Sequence, residues 1–109
     1  MPVWHKSLRD RFPTLPTFQQ IIMVANELNR AQNMISVPLE YKNALERALE
    51  LTDFLSADPR WSSKLKEVRR AREMMAMLYS NPQPGDTRVL QKCLIQLDCD
   101  AWKFMNGIN

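Results

Sequence analysis

Residues 36–59 read SVPLEYKNALERALELTDFLSADP, and this stretch decides the fold class. Tyr41, Ala44, Leu45, Ala48, Leu51, Thr52 and Leu55 recur with a 3.6-residue period and share one face of a helix. Lys42, Asn43, Glu46, Glu50 and Asp53 fall on the opposite face. Ser36 or Val37 can cap this helix, and Pro38 sits in its first turn, where a missing N–H breaks no intrahelical bond. At the far end, Asp58-Pro59 repeats the start signal, an N-cap side chain followed by a proline. The spacing therefore predicts one helix over 38–56 and another beginning at once.

Working outward, Trp61, Leu65, Val68, Ala71, Met75, Leu78 and Tyr79 form the stripe of a helix over 59–80. Pro82-Gln83-Pro84-Gly85 then reads as a loop. Asp86 follows as an N-cap for a helix over 87–105, with Leu90, Cys93, Leu94, Leu97, Ala101 and Phe104 on one face and Gly107 placed to end it. Upstream, Thr17-Phe18-Gln19-Gln20 has the spacing of a capping box, so a helix is predicted over 17–35. Its stripe is Phe18, Ile21, Ile22, Ala25, Leu28 and Ile35, with Gln32 as a polar member. Residues 1–16 form an arm broken by Pro2, Pro13 and Pro16. Trp4, Leu8 and Phe12 are spaced for a short extra helix over 3–11, and an arm so apolar should bury Trp4 and Phe12 on the body. Long helices joined by short links favour antiparallel neighbours. The predicted fold is all-α: an up-down-up-down four-helix bundle over 17–109, preceded by the arm.

Composition narrows the function classes. A hydrophobic share of 45% with 25% charged residues is that of a folded soluble chain and excludes intrinsic disorder. Two glycines leave no room for a phosphate-cradling loop. The net charge of +3 is a mild bias, weaker than that of a dedicated nucleic-acid binder. No apolar run approaches the ~18 residues of a membrane span, and no signal-peptide core follows the first residues, so a cytoplasmic location is expected. Cys93 and Cys99 are six apart on one predicted helix, which separates their Cα atoms by about 9 Å, beyond disulfide reach. Free thiols agree with a reducing compartment.

Each candidate for chemistry has a plainer reading. His5 is the sole histidine and sits on the arm, apart from Cys93 and Cys99, so no metal or cofactor is expected. Glu46, Glu50 and Asp53 form an acidic ridge opposite the apolar stripe, which makes them a solvated face and not an acid–base pair. No nucleophile–base pair is visible, and an enzyme is not expected. Arg72 falls inside its helix's stripe and needs a partner, for which Asp100 is the candidate. Lys66, Arg69 and Arg70 make a basic face that could track phosphates. Glu73 offers them helical ion pairs, and Trp61, which might stack on a base, lies on the core stripe.

The feature with most functional content is a second apolar strip. Ile95, Cys99 and Trp102 lie i, i+4, i+7 on the face opposite Leu90, Leu94 and Leu97, and a peripheral bundle helix needs one stripe. Met74 and Met77 likewise point away from their helix's stripe. The cover for the strip is either the arm, through Trp4 and Phe12, or another chain. The expectation is a small helical protein acting by protein–protein contact, as an adaptor, assembly subunit or regulator, and self-associating as a dimer through Ile95, Cys99 and Trp102, with Met74 and Met77 as a second patch. The alternative is nucleic-acid contact through Lys66, Arg69 and Arg70.

Overall fold

The computed structural model describes Trp4 and residues 6–107; His5 and Val3, the start of the expected arm helix, lie outside the described residues. Among these the chain is helical throughout, with no strand. Two 3-10 turns, Lys6–Leu8 and Phe12–Thr14, replace the single arm helix expected over 3–11. Five α-helices follow: α1 (Thr17–Asn33), α2 (Pro38–Ala57), α3 (Leu65–Ser80), α4 (Arg88–Ile95) and α5 (Cys99–Met105). Their packing is compatible with a bundle.

Every α2 stripe residue is buried, from Tyr41 to Leu55, and Val37 precedes Pro38 as the cap residue. α1 lies against α2 on one side and against α4 and α5 on the other. Burial on both sides explains why Val24 and Ala31 join the predicted Ile21, Ile22, Ala25 and Leu28 in the core. α1 stops at Asn33, so Ile35 is exposed and not part of the stripe. Phe12 is fully buried beside Phe54, with ring centroids 5.5 Å apart. Trp4 keeps 38% of its surface in solvent, because it lies on the rim of α2 under the Arg47 guanidinium. The arm thus enters the core through Leu8 and Phe12 and reaches α2, not the far side of the molecule.

The helix starts depart from the sequence reading in three places, each for a tertiary reason. Thr17 and Gln20 do not form a capping box. The Thr17 hydroxyl donates to Asp98 (2.8 Å), and the buried Gln20 amide donates to the Phe12 carbonyl (2.8 Å) and the Asp58 carboxylate (3.0 Å). Gln20 also accepts from the Trp61 indole N–H at 2.7 Å. Asp58 does act as a cap, accepting from the Arg60 amide at 3.0 Å, but the segment it opens is the 3-10 helix Pro59–Lys64, and α3 begins only at Leu65. The Arg60 guanidinium on the Asp58 carboxylate is the main reason its pKa falls to about 2. Arg60 also donates to the Pro13 carbonyl at 2.8 Å, so one polar cluster ties the arm, α1 and the α2–α3 corner together.

The third departure is the largest. The helix expected over 87–105 is two helices. Asp98 is extended, caps α5 by accepting from the Ala101 amide (3.0 Å), and is held by Thr17. At the start of α4 Thr87 holds the N-cap position without a side-chain capping bond, and the Asp86 carboxylate before it accepts the Arg88 amide (2.8 Å). Thr87 is buried, its hydroxyl donating to the Leu28 carbonyl (2.8 Å) and its amide to the Gln32 side chain (2.8 Å), which gives the polar member of the α1 stripe its role. Before it, Tyr41 donates to the Gly85 carbonyl (2.8 Å) and accepts its amide (3.0 Å). A Cβ on Gly85 would lie 2.8 Å from the Leu78 Cδ2 methyl, so any other residue there makes that side chain shift. Gly107 follows α5 with φ +68°, as a terminating glycine should.

Candidate protein-interaction surface

α3 packs along α2 and α4 packs along α1, but α3 and α4 meet each other sparsely. The seam between them is an open trough. One end is lined by Met77, Leu78, Asn81, Asp86 and Val89. The other is lined by Glu67, Arg70, Ala71, Cys93, Gln96 and Leu97, and Met74 and Leu90 belong to both ends. Met77 and Val89 are 72% and 67% exposed, values at which a large apolar side chain is left in water with no intramolecular cover. The predicted Met74–Met77 patch is therefore brought into one trough with residues of α4. Val89 was not singled out from the sequence. The signal was its position one residue off the Leu90–Leu94 stripe, four before Cys93, and a single off-stripe valine is too common to read.

The strip Ile95–Cys99–Trp102 is not continuous. Ile95 ends α4 and Trp102 lies in α5 beyond the Asp98 break. Ile95 and Trp102 still share a shallow groove, with Lys92, Gln96, Met105 and Asn106, while Cys99 is exposed outside its lining. Phase changes at the break for the inner face as well: Leu90, Leu94 and Ala101 are buried, Leu97 is half-buried, and Cys93 and Phe104, expected on the stripe, are exposed. The arm does not supply the cover considered for this groove, since Trp4 and Phe12 pack on α2.

The charged candidates separate in the same way. Lys66, Arg69 and Arg70 line a depression beside the trough with Glu73. Among the described residues none of the three cations has a carboxylate within ion-pair distance, so the helical pairs expected with Glu73 do not form. Trp61 is buried and bonded to Gln20, as its place on the stripe implied. Arg72 meets Asp53 at 2.6 Å and not Asp100, because α3 runs along α2. The acidic ridge is not a solvated face throughout. Glu46 is buried and accepts from the Tyr79 hydroxyl (2.7 Å) and the Trp4 indole (3.2 Å), and Glu50 accepts the Trp4 amide (3.0 Å). That Glu46 bond is the main reason the Tyr79 pKa is raised. These carboxylates anchor the arm.

Among the described residues no group of three or more His, Cys, Asp or Glu could hold a metal ion, and no helix is long and apolar enough to cross a membrane. Comparison with protein-family models, with curated proteins and with solved structures finds no match to this chain.

Proposed function

We propose that this chain works by protein–protein contact, as an adaptor, assembly subunit or small regulator of the cytoplasm, and not as an enzyme. One observation carries the reading: large apolar side chains stand exposed along two unfilled grooves, while the arm that could have covered them is anchored on α2. Methionine and tryptophan suit such surfaces, because the first adapts its shape and the second presents a large rigid area. The up-down-up-down order of the long helices belongs to this reading, since it leaves the α3–α4 seam as the open side.

Self-association uses the α4–α5 groove, where Trp102 is the anchor of an isologous contact with Ile95 beside it. Light scattering over a range of concentrations tests this. The expected result is a mass that rises toward a dimer and a Trp102→Ala variant that associates about thirty-fold more weakly, the ratio typical of a lost anchor residue. A wild-type chain that stays monomeric at high concentration removes self-association.

A second reading, nucleic-acid contact, is favoured by the unpaired state of Lys66, Arg69 and Arg70 among the described residues. It predicts an affinity for oligonucleotides that falls steeply with salt. The burial of Trp61 deprives it of the aromatic that would have stacked on a base, so it ranks second.

A further inference from the structure

We propose that the α3–α4 trough receives an amphipathic helix from a partner protein, with apolar anchors along one face and carboxylates gathered toward one end. This rests on the reading of the chain as an interaction module and adds the chemistry of the partner. The trough runs beside α3 from Glu67 to Asn81, a rise of roughly 21 Å at 1.5 Å per residue, which matches a helix of about 14 residues. Its floor is apolar, with Met74 and Leu90 at the centre and Met77 and Val89 standing at one end. Helices dock in such grooves through side chains at i, i+4, i+7 and i+11, and methionine walls adapt to their shape.

Charge selects among occupants, because the two ends differ. At the Leu97 end stand Arg70, with Lys66 and Arg69 beside it, and Lys64, which donates to the Leu97 carbonyl. Against these four cations are the carboxylates of Glu67 and Glu73, neither in an ion pair among the described residues. At the other end Asp86 is already paired with Arg88, and Asn81 is neutral. A partner with carboxylates at one end therefore gains at the Leu97 end and finds no comparable attraction at the other.

A second copy of this chain is a poor match for that pattern. Its exposed apolar residues on α5, Trp102, Phe104 and Met105, have Asp100 before them but carry Lys103 among them, and they stand on a helix of 7 residues, about half the length of the trough. Of the α2 carboxylates, Glu46 and Glu50 bond Trp4 and Asp53 pairs with Arg72, which leaves Glu40, beside Leu39 as the one large apolar side chain exposed on that helix. A nucleic acid would use the basic rim and leave the apolar floor unfilled.

Selection of a displayed random-peptide library on the full folded chain reads the occupant's chemistry directly. The expected outcome is enrichment of sequences with apolar residues at helical spacing and Asp or Glu concentrated at one end. A synthetic peptide of the leading sequence should bind Met77→Lys and Val89→Lys variants about ten-fold or more weakly. It should bind Arg70→Glu more weakly as well, with an association rate that depends on salt in the wild type and less so in that variant. All three positions are exposed, and an unchanged thermal unfolding midpoint verifies that each variant is folded. Enriched peptides that lack carboxylates, or that lose affinity with Trp102→Ala and not with Met77→Lys, overturn the inference and leave the interaction-module reading standing. A wild-type dimer that Met77→Lys dissociates also overturns it, by giving the trough to a second copy. Binding of a single-stranded oligonucleotide that Arg70→Glu abolishes and Met77→Lys does not, with no peptide enriched, overturns both readings.

Discussion

The corner where the arm, α1, the end of α2 and the 3-10 helix meet is closed by polar bonds, whereas the α3–α4 seam is open and apolar. At the corner, Gln20, Asp58, Trp61 and the Phe12 carbonyl satisfy one another in the interior, and at its surface Arg60 joins Asp58 to the Pro13 carbonyl. At the seam, Met77 and Val89 stand in water, and Lys66, Arg69 and Arg70 have no carboxylate partner among the described residues. The contrast teaches that hydrogen-bond satisfaction and apolar exposure are divided between two regions of this molecule, although Lys64 links them by its bond to the Leu97 carbonyl. A buried polar cluster fixes one arrangement because any loosening leaves a donor or acceptor stranded. An apolar trough fixes nothing until a partner fills it.

The contrast is broken most directly at Gln20. Gln20→Ala strands the Trp61 indole, the Phe12 carbonyl and one Asp58 contact. It should cost about 3 kcal/mol of unfolding free energy in urea titration. A loss under about 1 kcal/mol would mean that the corner is no more specified than the seam. Next in size is Asp98→Ala, which removes the α5 cap and the Thr17 bond together and should cost about 1–2 kcal/mol, with loss of helical circular dichroism from α5.

Acid sharpens the comparison. The Asp58 carboxyl is held at about 2 against an ordinary 3.8, chiefly by Arg60. A folded-state pKa that is lowered gives stability that is complete above pH 3.8 and lost as pH falls through about 2. The Arg60 side chain is 40% exposed, so solvent screening brings the contribution to about 1 kcal/mol. The stability gap between wild type and Asp58→Asn should therefore be present at pH 5 and narrow toward pH 2; a gap independent of pH would remove the carboxylate from the corner's energetics. The smallest effect belongs to the seam. Met77→Lys and Val89→Lys should each leave stability within about 0.5 kcal/mol, because these side chains bury little. A large loss would show that the trough is already closed by this chain.

Local chemistry made α2 readable from end to end. Pro38 and Asp58-Pro59 act through their own backbones, and a 3.6-residue stripe needs only one apolar neighbour to be buried as a unit. The all-helical class, the burial of Phe12 and Trp61, and the exposure of Met74 and Met77 follow from the same local signals. Candidate surface residues were legible as exposed apolar positions, but their grouping was not, since Val89 joins Met77 only across two helices.

What the tertiary structure alone decided is where side chains with several possible partners are committed. Thr17 and Gln20 have the spacing of a local cap, yet Asp98, Phe12, Asp58 and Trp61 claim them across the fold. Asp98 sits inside an unbroken apolar period, and only the Thr17 hydroxyl on the neighbouring helix makes it a cap that splits α4 from α5. Periodicity and caps depend on residues a few positions apart. A hydroxyl, an amide or a carboxylate bonds whatever the packing brings within 3 Å, and no spacing along the chain records that.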